Sequence, residues 1–145
     1  MPKKKPSGTP SAASSKPPEP LTVFLDESLD SGSIAQSLAA AGAIVERLTA
    51  HFPKGTNDEA WLSLAGSKGW IVLTRDKRIR YRQLERWALQ AAGVRAFVFT
   101  GGNVTLSATA TVLAEALPAI RDVCASDPGP FIYHIGRAGR PQKMD

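Results

Sequence analysis

Residues 70–80 read WIVLTRDKRIR. The first four are wholly apolar, as expected of a central parallel strand covered by helices on both faces. Thr74, Arg75 and Asp76 follow at its C-terminal end, the edge where open α/β sheets place their ligands. Upstream, residues 21–25 form a second apolar run, and Asp26 follows it directly. Two acids thus leave two predicted strands at the same edge. Between these strands the spacing predicts a helix over 33–41, with Ser31 or Ser33 as N-cap, Ile34, Leu38 and Ala41 on one face, and Gly42 as its stop. Residues 43–48 read as a strand. A loop with Pro53 and Gly55 leads to a helix over 58–68, capped by Thr56 or Asn57, with Trp61, Leu64 and Ala65 on one face. Gly66 weakens this helix slightly, and Gly69 ends it.

Downstream, a helix is expected over 80–92, with Tyr81, Leu84, Trp87 or Ala88, and Ala91 in one stripe and Gly93 at its end. A strand follows over 94–99. Leu106, Ala110, Leu113, Leu117, Ile120 and Cys124 recur at helical spacing, with Pro118 inside the pattern, where a kink or restart is expected. Residues 131–133 add a short fifth strand. This alternation predicts an α/β fold: one domain over 21–133 with a central, mostly parallel, four- to five-stranded sheet and helices on both faces.

The ends differ in composition. Residues 1–20 hold six of the eleven prolines, four lysines against Glu19, and no large apolar residue between Met1 and Leu21, which predicts a disordered basic arm. Residues 134–145, HIGRAGRPQKMD, read as a flexible basic tail. The formal net charge of +5 belongs to these ends, because residues 21–133 carry eleven basic and eleven acidic groups. The 145-residue chain has no apolar run near the roughly 18 residues of a membrane span, and no apolar stretch of a secretory signal, so a cytoplasmic protein is expected. Cys124 is the one cysteine, which excludes an internal disulfide; its apolar stripe points to a buried thiol.

The chemistry concentrates in the acids. Asp26 and Asp76 follow strands, while Asp58 and Glu59 open a helix that can enter at the same rim. Each has a plainer role, in a turn or in the field of a helix N-terminus. Carboxylates crowded together repel, and a hard divalent cation is the usual reason to tolerate them. Such an ion can lower the pKa of a bound water beside a phosphodiester. Next to it, residues 75–86 carry Arg75, Lys77, Arg78, Arg80, Arg82 and Arg86 against two acids, a basic run suited to phosphates. Tyr81 can stack on a base, though it and Trp87 read better as core. His51 reads as a surface histidine without an identified partner, and Gly101-Gly102-Asn103 as a turn able to offer N–H groups to a phosphate.

Taken together, FLDES at 24–28, NDEAW at 57–61 and WIVLTRDKRIR at 70–80 resemble the PIN-like domains, especially the short VapC-like group found in toxin–antitoxin pairs. The likeness runs from about residue 21 to residue 100, and LTRD after an apolar strand is its most specific part. It implies a magnesium- or manganese-dependent endoribonuclease that acts as a bacterial toxin on RNA and is neutralised by a cognate antitoxin; members often form homodimers. Carried over by position, Asp26, Asp76 with Thr74 as its hydroxyl, and Asp58 form the metal site, with Glu59 as the alternative to Asp58. Arg75 and Lys77 flank it as phosphate contacts, and Arg78, Arg80 and Arg82 extend the RNA-binding surface. The pattern departs where many members carry a fourth acid: here Lys77, Arg78, Ile79 and Arg80 stand, so one protein-held ion fits better than two. Two other readings compete: a catalytically silent PIN-like module that binds RNA or protein, and a receiver-type phosphoacceptor, which lacks the lysine expected after the fifth strand.

Overall fold

The computed structural model describes residues 20–76, 83–102 and 104–144. The expected arm except Pro20, the residues Lys77, Arg78, Arg80, Tyr81, Arg82 and Asn103, and the side chain of Trp87 lie outside this description.

Among the described residues twelve elements follow one another. Strand β1 (Thr22–Leu25) runs into a 3-10 turn (Glu27–Leu29) and helix α1 (Gly32–Ala40). Next come β2 (Ile44–Arg47), the short α2 (Leu48–His51), α3 (Asp58–Lys68), β3 (Ile71–Thr74), α4 (Gln83–Ala92), β4 (Arg95–Phe99), α5 (Leu106–Ser126), β5 (Phe131–Ile135) and β6 (Pro141–Met144). The caps explain the boundaries: Ser31 accepts from the Ile34 N–H, Asn57 from Ala60 and Thr105 from Ala108, each satisfying a donor orphaned at a helix start. Gly69 closes α3 with φ 71°, which favours a residue without a Cβ.

The sheet order is β2-β1-β3-β4-β5-β6, with the first five strands parallel and β6 antiparallel. Side chains alternate across it. Val23, Leu25, Ile71, Leu73, Phe97 and Phe99 pack under α1 and α5 with Ile34, Leu38, Leu113 and Ile120. Phe24, Val72, Ala96 and Val98 face α3 and α4 with Trp61, Leu62, Ala65 and Leu89. The mostly parallel sheet with helices on both faces is as expected, with six strands in place of four or five.

The added strand corrects the reading of residues 134–145 as a flexible tail. His134 and Ile135 complete β5, and Pro141–Met144 pair with it from Ile135↔Pro141 to Ile132↔Met144. Composition failed here because β6 covers the open edge of β5 through backbone hydrogen bonds, which basic and polar residues form as well as apolar ones. Lys143 also reaches Asp127 at 3.1 Å. Smaller corrections follow from packing. Helix α5 continues past Pro118 without a restart, with buried Leu113, Ala116 and Leu117 before the proline and Ile120 after it. In α3 the buried residue is Leu62 rather than Leu64, and Ala41 caps α1 in solvent instead of sharing its buried face. Cys124 is half-buried; burial pushes its thiol up, away from a reactive thiolate. Among the described residues no helix is long and apolar enough to cross a membrane.

Gly66 is where α3 approaches α4. A Cβ there would lie 2.4 Å from both the Cβ and the carbonyl oxygen of Ala92. Gly66→Ala should therefore lower stability by about 1–3 kcal/mol through overpacking, despite a helix-propensity gain of up to about 1 kcal/mol. Urea unfolding tests this, and a raised midpoint would contradict the close-approach account.

Candidate active site

The register decides the site. Leu25 pairs with Leu73, and the Asp26 N–H donates to the Leu73 carbonyl at 3.3 Å, so Asp26 and Thr74 leave adjacent strands side by side. Chain direction reverses about this junction: β1 leads outward to β2, and the chain returns to β3 on the other side of β1. That is the topological switch point, where strand ends part and leave a crevice. By strand alternation Asp26 continues the face of Phe24 and Thr74 that of Val72, the face covered by α3.

Asp26 is only 6% exposed and Thr74 is fully buried. The Thr74 hydroxyl donates to Asp26 Oδ2 at 2.5 Å, and Thr74 Oγ1 accepts the Asp76 N–H at 3.0 Å. Ser28, in the turn capped by Asp26, donates from its hydroxyl to Asp26 Oδ1 at 2.5 Å and from its N–H at 3.1 Å. Ser28 Oγ accepts the Arg75 N–H at 2.8 Å and lies 3.2 Å from Thr74 Oγ1. Asp26, Ser28 and Thr74 thus form a closed ring of oxygens, tied by two backbone N–H groups to the chain beyond β3.

The Asp26 carboxyl is pushed up to about 6, chiefly by burial, which the Ser28 and Thr74 hydrogen bonds oppose and the charge of Asp58 reinforces. Asp58 opens α3, and its Oδ1 accepts from the buried Trp61 indole at 3.0 Å. Of the two acids that open α3, Asp58 is a contributor to the Asp26 shift.

The expected convergence is incomplete. Among the described residues no group of three or more His, Cys, Asp or Glu side chains is placed to hold a metal ion. The structure joins Asp26, Thr74 and the backbone of Asp76, and couples Asp58 by charge; it does not close Asp26, Asp58 and Asp76 into one cluster. The reason is local: Asp58 is turned onto Trp61, and Asp26 spends both oxygens on hydroxyls. Arg75 stays beside the ring but directs its guanidinium to the Gly102 carbonyl, 3.0 Å away. Of the proposed phosphate contacts, Lys77, Arg78, Arg80 and Arg82 lie outside the described residues.

Ser28 escaped the sequence reading. Its signal was available: a serine two residues after an aspartate that ends a strand can turn back onto that carboxylate. His51 lies at the surface, as expected, but it has partners there: it closes α2, meets Glu46 at 2.7 Å and packs on Trp70 with ring centroids 5.3 Å apart. In the glycine turn after β4 the Gly101 and Gly102 carbonyls accept from Arg137 and Arg75.

A family model described as a PIN-like domain matches residues 21–101, more than half of the chain, and the chain belongs to that family. In Mycobacterium tuberculosis (strain ATCC 25618 / H37Rv), a protein named "Putative ribonuclease VapC45" is 28% identical over 117 residues, spanning 78% of this chain and 84% of that protein. No solved structure matches the chain significantly.

A raised carboxylate pKa makes the protonated form the one the fold prefers. The Asp26 contribution is therefore fully unfavourable above about 6 and fades as pH falls toward the unfolded value of 3.8. Asp26→Asn should stabilise the metal-free protein at pH 7.5 by on the order of 1–3 kcal/mol, with the gain vanishing near pH 4. Thermal unfolding in EDTA across this range checks the sign; a variant less stable at pH 7.5 would refute it.

Proposed function

We propose that this chain is a divalent-metal-dependent endoribonuclease and the toxin of a toxin–antitoxin pair, with RNA as substrate, a cognate antitoxin as partner and a homodimer as its assembled form. The observation that carries the reading is Asp26, a carboxylate buried at the switch point, oriented by two hydroxyls and crowded by the charge of Asp58. Burying a charge there costs stability, and a cation is what would offset that cost. The ribonuclease name of the mycobacterial relative supports the substrate class, and the likeness to the VapC-like group supports the toxin role.

The donor chemistry fits magnesium or manganese. These hard ions take oxygen ligands, and magnesium is commonly held by one or two carboxylates, with waters and substrate phosphates completing its shell. Asp26 and Asp58, with Asp76 beyond β3, suit that arrangement better than a closed three-carboxylate cage. When bound, the ion supplies Lewis acidity to a water and to the phosphodiester. The chain itself does the positioning. Thr74 and Ser28 hold the Asp26 carboxylate in one orientation, the Trp61 indole holds Asp58, and Arg75 offers charge to the phosphate at the edge of the site. No side chain is required as a nucleophile.

Purified protein should cleave single-stranded RNA with manganese, and EDTA should abolish the activity. Asp26→Asn should lower the rate about 100-fold or more, and Ser28→Ala, which removes an outer hydrogen-bond partner, by about 10–100-fold. The lack of a three-acid group among the described residues favours one other reading, a silent module that binds RNA or protein. That reading wins if wild type binds RNA but shows no cleavage and no manganese site removable by Asp26→Asn in calorimetry.

A further inference from the structure

Beyond the Asp26 site, the same edge of the sheet carries a second constellation. Arg75 leaves the end of β3 and reaches over the turn after β4, where it donates to the Gly102 carbonyl at 3.0 Å. Arg137 leaves the end of β5 and reaches back to the same turn, where its Nε donates to the Gly101 carbonyl at 2.5 Å. A Cβ on Gly102 would lie 3.5 Å from a terminal nitrogen of Arg137, so both guanidinium groups border one residue. Two cations border the same pair of glycines.

That turn is built for the purpose. A Cβ on Gly101 would come 2.3 Å from the Phe99 ring, so the backbone lies directly on this buried aromatic. The Arg75 guanidinium sits 5.7 Å from the centroid of the same ring. The ring thus supports both the turn and one of the cations, and the carbonyls it presents fix the two arginines. Neither guanidinium has a carboxylate partner or any other hydrogen bond among the described residues. A guanidinium has five N–H donors and each of these spends one on the turn, so most of the donor capacity remains open at a surface where Arg137 is exposed.

The placement relative to the acids is set by strand order. Asp26 ends β1, Thr74 and Arg75 end β3, the glycine turn follows β4, and Arg137 follows β5; these are four neighbouring strands. Adjacent strands lie about 4.8 Å apart, so the arginine pair stands on the order of 10 Å from the Asp26–Thr74 junction along one edge. A ligand with one negative group at the acids' cation and another at the arginines must be an extended polyanion.

We propose that Arg75 and Arg137 form a phosphate clamp on the backbone of single-stranded RNA, gripping a phosphodiester next to the one cut at Asp26. Planar guanidinium forks match phosphate oxygens in pairs, and two of them in fixed positions give a site that lysines or free chain ends would not. The assignment makes Arg137 a substrate-binding residue, and it rests on the nuclease reading above.

The test measures binding of a labelled, randomised single-stranded RNA to the full chain in EDTA at several salt concentrations, alongside cleavage with manganese. Each phosphate contact in single-stranded nucleic acid contributes a slope of about 0.7 to the fall of log affinity with log salt. Arg137→Gln should reduce the slope by about that amount and weaken binding roughly threefold to tenfold, with its thermal midpoint and calorimetric manganese binding unchanged. Arg75→Gln combined with Arg137→Gln should remove about two contacts, and Arg137→Lys should recover the slope but only part of the affinity. An unchanged slope in Arg137→Gln, with or without a lower midpoint, overturns the clamp and leaves Arg137 as a fastener of the turn. So does competition by polyglutamate as strong as that by RNA of equal charge, which would assign the pair to an acidic protein. If wild type cleaves RNA while Arg137→Gln keeps the slope, the clamp alone fails; if wild type neither binds nor cleaves RNA, the nuclease reading fails first.

Discussion

The parallel pairing of β1 with β3 is the constraint on which the site depends. Because Leu25 stands beside Leu73, the next residues out, Asp26 and Thr74, emerge together at the switch point. A slip of one residue would turn Thr74 to the opposite face and leave Asp26 buried without its hydroxyl. The register is strongly held, since Phe24 and Val72 pack with Trp61 on one face while Leu25 and Leu73 pack beneath α1 and α5 on the other. The cost of burying a carboxylate is thus met by packing that extends through both layers, and the carboxylate is left poised between its two protonation states.

The same frame spreads charge along the edge of the sheet in order. Acids gather at β1, at β3 and at the start of α3, while the arginines occupy the ends of β3 and β5 around the glycine turn after β4. Among the described residues the side chains of Arg75 and Arg137 bond to carbonyls of the glycine turn. Elsewhere ion pairs serve the fold: Arg47 is joined to Asp30, which also accepts the Thr49 N–H and hydroxyl. Burial works against the charge of Asp30, but the Thr49 and Arg47 bonds together outweigh it and hold its carboxyl below the ordinary range.

Much of the fold was legible because its signals are local. Apolar runs four or five residues long, caps such as Ser31 and Asn57, and stops such as Gly69 act within a few residues of themselves, and β1, α1, β2, α3, β3, β4, α5 and β5 fall within a residue or two of their expected ends. Asp26 and Thr74 were legible as well, because each sits at a strand end that the apolar pattern marks. A restart at Pro118 did not occur, because the buried stripe of α5 continues on both sides of it. The tail misled because edge-strand pairing runs through backbone groups and leaves little trace in side-chain type.

What the order of residues determined alone is the alternation of strand and helix, the family likeness in FLDES, NDEAW and LTRD, and the edge where the acids must stand. Only the tertiary structure decided that Ser28 closes a ring with Asp26 and Thr74, that Asp58 is turned onto Trp61, and that Arg137 returns to the turn reached by Arg75. The physical reason is distance along the chain: hydrogen bonds between residues 28 and 74, or 101 and 137, depend on register and crossover, which no local pattern carries.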